Sequence, residues 1–353
     1  MSGAHPLCSE LVPTGGVELS ALELTLRPLR PHLERDDVTE LCINRPGELF
    51  LETVRGWECT PAPFADFDWC QRLARLIANL SSQRIDATAP LLSAALPSGE
   101  RAQVVLPPAT TTGCVALTLR RPAAQVWSVD ELTAGGAFAA TRAAGGTDTS
   151  DAELGRLHAA RDYPAFLRLA VRARKNIIVS GATGSGKTTW TKALIKEIPS
   201  TERLVTIEDA RELQLDGHPN HVRLYYSKDD QGLARVTPKQ LLECCLRLRP
   251  DRILLAELRG AEAFDYLRNV NSGHPGSITS VHAPSALLAF EQLALLIRQS
   301  PDGRALARNE LRRLLRLLVD VVIQCALVAH RRVIREVWFE PVRDGAVRKP
   351  RAS

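Results

Sequence analysis

Gly181-Ala182-Thr183-Gly184-Ser185-Gly186-Lys187-Thr188 is the stretch whose reading decides the fold. It has the spacing G-x-x-x-x-G-K-T, and its flanks give that spacing meaning. Asn176-Ile177-Ile178-Val179-Ser180 before it is a short apolar run that reads as a buried parallel strand. Thr189-Trp190-Thr191-Lys192-Ala193-Leu194-Ile195-Lys196 after it reads as a helix. A strand that turns through glycines into a helix curls backbone N–H groups inward, with the positive helix terminus behind them. In that setting Lys187 supplies a point charge to the β- and γ-phosphates, and the Thr188 hydroxyl is a ligand for Mg²⁺. The expected binding set is Gly181, Ala182, Thr183, Gly184, Ser185, Gly186, Lys187, Thr188 and Thr189, and the expected ligands are a nucleoside triphosphate and Mg²⁺.

Outward from this loop, apolar strands alternate with helical patterns. Residues 162–173, 238–248 and 261–270 have helical spacing, and 203–207, 252–256 and 277–281 read as strands. Such alternation predicts a parallel sheet with helices on both faces. Ligands then bind at the carboxyl ends of the strands, and polar residues do gather there. One strand ends in Thr206-Ile207-Glu208-Asp209, a second in Ala256-Glu257, and a third in Ser280-Val281-His282. Phosphoryl transfer to water needs positioning and charge compensation, which acids and an imidazole beside the phosphates supply. Lys187, Glu208, Glu257 and His282 are therefore the candidate catalytic residues, and Thr188, Glu208 and Glu257 the candidate metal ligands. The second motif of P-loop ATPases usually ends in Asp-Glu. Here it ends in Ala256-Glu257, so the usual magnesium Asp is missing, and the residues leave open whether Glu208 or Glu257 is the base.

The first half has a different texture. Leu19, Leu22, Leu24, Leu26, Leu29 and Leu33 predict a surface helix interrupted at Pro28 and Pro31. Two alternating runs, 39–44 and 48–52, flank the turn Arg45-Pro46-Gly47 and predict a hairpin. A helix over 69–80 and strands over 91–96, 101–106 and 115–120 complete a mixed α+β unit. Residues 133–150 are rich in Gly, Ala and Thr and read as a connection. The predicted organisation is a tail at 1–17, a smaller α+β N-terminal domain at 18–132, a linker at 133–150, a RecA-like P-loop ATPase domain with a mostly parallel sheet at 151–341, and a tail at 342–353.

Composition narrows the class. A net charge of +5 over 353 residues allows weak attraction to anionic surfaces without demanding a nucleic-acid partner. No stretch interleaves aromatic and basic residues as a single-strand binder would, so stable nucleic-acid binding is not expected. The eight cysteines include no C-x-x-C pair and read as reduced thiols in a cytosol. No apolar run reaches the length of a membrane span, because 314–329 is broken by Arg316 and Asp320. His218 and His221 lack a third ligand and read as loop residues, and Cys244-Cys245 reads as helix packing.

Four blocks together resemble the bacterial secretion ATPases, and more narrowly the hexameric traffic ATPases of type IV secretion and conjugation systems. They are the phosphate loop, the acidic box Thr206 to Leu213, the motif Arg249-Pro250-Asp251-Arg252-Ile253-Leu254-Leu255-Ala256-Glu257-Leu258-Arg259-Gly260, and the histidine box Asn271 to Ala283. The first half joins the match through Leu92 to Arg101 and through Leu119-Arg120-Arg121-Pro122. The resemblance implies a homohexameric ring that hydrolyses ATP on Mg²⁺ to power substrate export or pilus assembly. It implies a cytoplasmic protein, peripheral to the inner membrane, with inner-membrane secretion-complex proteins as partners. It also implies that N-terminal arginines reach the phosphates, with Arg101 and Arg120 in the matching positions. Other motors with the same loop, a RecA-like DNA translocase or helicase and the type II secretion or pilus-retraction type, are the alternatives. A kinase would not need the acidic and histidine boxes.

Overall fold

The computed structural model describes residues 20–122, 126–141, 149–227 and 232–340. The expected tails at 1–17 and 342–353, and residues 142–148 of the expected linker, lie outside the described residues.

The chain enters through the helix Ala21–Leu26, where the Ser20 hydroxyl and the Glu23 carboxylate cap each other's backbone N–H groups. Pro28 and Pro31 then interrupt it, as their missing N–H groups predict. The helix tightens into a 3₁₀ turn at Arg27–Leu29 and ends in the short piece Arg30–Leu33. Six strands follow, β1 (Val38–Ile43), β2 (Gly47–Thr53), β3 (Gly56–Ala62), β4 (Leu91–Ala95), β5 (Arg101–Val105) and β6 (Ala116–Arg120). They form one antiparallel sheet in the order β3-β2-β1-β6-β5-β4. The expected hairpin is β1–β2, with Leu41 opposite Leu51. The helix Phe67–Leu80 is capped by Asp66, whose Oδ1 accepts from the Trp69 N–H at 2.7 Å. Its residues Trp69, Cys70, Leu73, Ala74 and Ile77 recur at helical spacing. They are buried in one core with Leu41, Leu51, Leu92, Ala102 and Val104 of the sheet.

The second half carries seven strands, β7 (Ile177–Gly181), β8 (Leu204–Glu208), β9 (His221–Tyr225), β10 (Arg252–Leu255), β11 (Ile278–Val281), β12 (Val321–Val328) and β13 (Arg331–Phe339). β10-β8-β9 form a parallel three-stranded sheet. β11-β7-β12-β13 form a second sheet, parallel except for β13, which runs antiparallel to β12. The two sheets meet at β10 and β11. There the Ser277 and Ser280 hydroxyls donate to the carbonyls of Ile253 and Ala256 at 2.5 and 2.9 Å. β7 is buried on both faces: Ile177 and Val179 pack with the helices Tyr163–Arg172 and Lys187–Ile195, and Ile178 packs with those on the other side.

The N-terminal sheet rests on the amino ends of β8, β9 and β10. The fully buried Arg203 donates to Asn44 Oδ1 at 2.8 Å and lies 5.4 Å from the ring centre of Trp57. Asn44 donates to Asn220 at 3.0 Å, Trp57 Nε1 to Asp251 at 3.2 Å, and Arg249 Nε to Glu52 at 2.9 Å. The connection between β5 and β6 climbs further, along the β9 edge. Its Thr110 hydroxyl donates to the Arg223 carbonyl and its Ala109 carbonyl accepts from the Tyr225 N–H, both at 2.9 Å. Arg101 and Arg120 lie at the other ends of β5 and β6 from that connection. The phosphate loop leaves the carboxyl end of β7, opposite to the ends on which the N-terminal sheet sits.

Candidate nucleotide site

The loop is shaped for an anion. Gly186 has φ +98° and precedes the helix Lys187–Ile195, which has no side-chain cap on its first N–H groups. The helices beginning at Ala21, Phe67, Pro238 and Ala286 all have one. Uncapped N–H groups at a glycine turn are free for phosphate oxygens. Gly181 is held as tightly: a Cβ there would stand 2.7 Å from the carbonyl oxygen of Cys325. Ser185 is buried and donates to the Ala182 carbonyl at 2.8 Å, which fixes the curl of the loop.

Lys187 Nζ donates to the carbonyls of Gly181 and Ala182 at 3.1 and 3.2 Å and lies 3.2 Å from His282 Nδ1. Burial lowers the lysine's pKa, and the Glu257 charge opposes that shift. His282 Nε2 is 2.8 Å from Glu257 Oε1, at ion-pair distance but outside hydrogen-bond alignment. Glu257 Oε2 accepts from Arg259 Nε at 2.5 Å, and Arg259 Nη1 donates to Asp209 at 2.9 Å. Lys187, His282, Glu257, Arg259 and Asp209 thus form a continuous chain of polar contacts along a cleft of about 190 Å³. Thr183, Gly184, Thr188 and Glu212 also line it. A hollow of about 490 Å³ adjoins it, sharing Asp209 and walled by Thr110, Arg211 and Tyr226.

Glu208 stands elsewhere, against its expected place among the catalytic and metal-binding residues. Its side chain is fully buried beneath the acidic box, with no surface on the cleft. Oε1 accepts from Thr206 at 2.7 Å and Arg223 at 3.2 Å, and Oε2 accepts from the Glu212 and Leu213 N–H groups at 2.9 Å each. A carboxylate with four such bonds holds a loop in place; its neighbour Asp209 is the acid that reaches the cleft. Arg101 and Arg120 are also outside the cleft. They sit opposite each other on β5 and β6, both exposed, with Arg120 Nε 3.6 Å from Glu40. Thr189 is exposed on the first turn of the helix.

Arg259 has no role in the sequence reading, although it lies two residues past Glu257 in the same motif. The signal that finds it is the Glu-Leu-Arg spacing at a strand end, where alternate residues project together. His218 and His221 are loop and strand-edge residues without a metal set. His218 is buried with Nε2 3.0 Å from the Ile198 carbonyl, and His221 Nδ1 is 2.7 Å from the His218 carbonyl. Cys244 and Cys245 are buried free thiols on a helix. No group of three or more His, Cys, Asp or Glu suited to a metal occurs among the described residues.

Comparison with known proteins places the chain in a family. Residues 148–335 match the family of the Type II/IV secretion system protein. The type IV secretion system protein VirB11 of Bartonella quintana is 43% identical over 340 residues, covering 93% of this chain and 95% of that protein. VirB11 of Brucella suis is 45% identical over 328 residues, covering 91% of each. The crystal structure of the Brucella suis VirB11 ATPase in complex with sulphate superimposes with a TM-score of 0.86 at 44% identity, covering 91% of this chain and 98% of that one. The chain belongs to the type II/IV secretion system family, and within it to the VirB11 ATPases of type IV secretion.

Proposed function

We propose that this ATPase of type IV secretion works as a ring whose RecA-like core binds Mg·ATP in the cleft between Lys187 and Glu257. The observation that carries the reading is the contact series from Lys187 through His282 to Glu257, at 3.2 and 2.8 Å, beside an uncapped glycine loop. The loop N–H groups and Lys187 hold the β- and γ-phosphates. Glu257 orients the attacking water and His282 stands where the γ-phosphate ends. The residues present fit a magnesium ion: the Thr188 hydroxyl and the Asp209 carboxylate line one cleft with Glu257, whose buried Oε1 accepts no hydrogen bond. When bound, the ion would neutralise charge on the phosphate oxygens. Glu208 acts from below, by holding Glu212 and Leu213 at the cleft wall.

Arg101 and Arg120 take part in this reading only across a subunit boundary, because their ends of β5 and β6 lie away from the same chain's loop. The proposed homohexamer supplies that boundary. Among the described residues no helix is long and apolar enough to cross a membrane. Peripheral attachment at the inner membrane, beside membrane-embedded secretion proteins, is the proposed location.

Steady-state phosphate release tests the reading. Lys187→Ala removes the point charge on the phosphates and should lower turnover by roughly a hundredfold or more. Turnover equal to that of the parent protein would overturn it.

A further inference from the structure

Arg332 on β13 lies against the phosphate loop from the side that the cleft residues leave open. A Cβ on Gly186 would stand 2.9 Å from Arg332 Cδ and 3.2 and 3.3 Å from its Cβ and Cγ, so the arginine stem crosses directly over that glycine. Strand register explains the placement. Gly181 pairs with Cys325 across β7 and β12, and Cys325 pairs with Ile334 across β12 and β13. Arg332 is two residues beyond that row, on the face shared with Ile334, which packs in the same core layer as Trp190 of the following helix. The stem therefore leaves the sheet over the uncapped amino end of that helix.

Direction along the loop follows from strand order. β11 and β12 flank β7 on opposite sides, with β13 beyond β12. His282, just after β11, marks one side of the loop, and Arg332 marks the other. With the γ-phosphate at His282 and Glu257, the α-phosphate of a nucleotide laid across the loop falls on the Arg332 side. We propose that Arg332 binds the α-phosphate, resting on the nucleotide reading above. The α-phosphate is common to ATP and ADP and is not a reacting group. The contact is thus made equally in ground and transition states, and its loss falls on KM and on ADP affinity rather than on kcat.

The test measures ADP and ATP affinity of the full-length chain by calorimetry, alongside steady-state ATPase kinetics. Arg332→Met keeps an apolar stem over Gly186 and removes the charge. It should weaken both nucleotides by about tenfold, the size of one charge-assisted hydrogen bond, and raise KM for ATP by a similar factor. Arg331→Ala, on the opposite strand face, should bind as the parent does. Unchanged ADP affinity in Arg332→Met overturns the proposal. So does a loss confined to ATP with a fall in kcat, which would put the guanidinium at the γ-phosphate. If Arg332→Met binds normally while Lys187→Ala loses ADP, this proposal fails and the ATPase reading stands. A parent protein that binds neither nucleotide ends both.

Discussion

Glu208 and Glu257 look alike in the sequence, each an acid at the end of an apolar run, and they differ entirely in what surrounds them. Glu257 touches the cleft, with one oxygen facing His282 and the other held by Arg259. Glu208 is sealed, and Arg223, itself only 7% exposed, depends on it for charge balance. Replacing Glu208 by alanine would strand that guanidinium, which costs about 3 kcal/mol or more when one partner of a buried pair is removed. Glu208→Ala should therefore lower the melting temperature by several degrees. Glu257→Gln should melt with the parent, retain ADP binding and lose turnover. Equal melting of all three proteins would show that Glu208 carries no structural charge. The phosphate loop is legible residue by residue because its chemistry is local. The roles of Glu208 and Arg259 are not, since each depends on side chains that the fold brings from other strands.

At the scale of elements, periodicity and turn chemistry locate most of the core. The proline-interrupted first helix, the β1–β2 hairpin, the strand that ends in Glu208 and the strands that lead to Glu257 and His282 all lie where their patterns place them. β3 carries no such mark because it is an edge strand: only Ala62 in it is buried, so no apolar alternation shows. The glycines and alanines of 133–150 conceal the end of the helix Val129–Ala134, whose capping box at Ser128 and Glu131 lies upstream of them. The run 314–329 hides two elements. The helix Arg308–Leu318 ends, Asp320 accepts from the Asn176 N–H at 2.8 Å, and β12 begins. β1 also holds a titratable group out of its normal range. Burial raises the pKa of Glu40 from 4.5 to about 7 against the pull of Arg120, and its Oε2 has no hydrogen-bond partner. The folded state therefore binds more protons than the unfolded state between those values. The stability contributed by Glu40 is complete below pH 4.5 and is lost as pH rises through about 7. The shift corresponds to roughly 3 kcal/mol. Glu40→Gln should match the parent in urea near pH 4 and exceed it near pH 8. Parallel pH profiles for the two proteins would exclude this origin.

For the whole molecule, the decisive fact is where the N-terminal sheet docks. Arg203, Asn220 and Asp251 immediately precede β8, β9 and β10, and each is bonded to the N-terminal sheet or its hairpin turn. The sheet with Arg101 and Arg120 is thereby fixed at the strand ends remote from Lys187. If those arginines compensate phosphate charge, they do so on a neighbour in the proposed ring. Mixing two inactive proteins separates the possibilities. Lys187→Ala retains the arginines, and an Arg101→Ala/Arg120→Ala double variant retains the loop. Rings assembled from equal amounts of both contain no subunit with the two parts intact. Sites within one subunit would then all be dead. Sites shared between neighbours would be complete at about a quarter of the positions, because each contributing part is intact in half of the subunits. Mixed rings should recover about a quarter of parental phosphate release, if sites fire independently, and no recovery would place each site within a single chain.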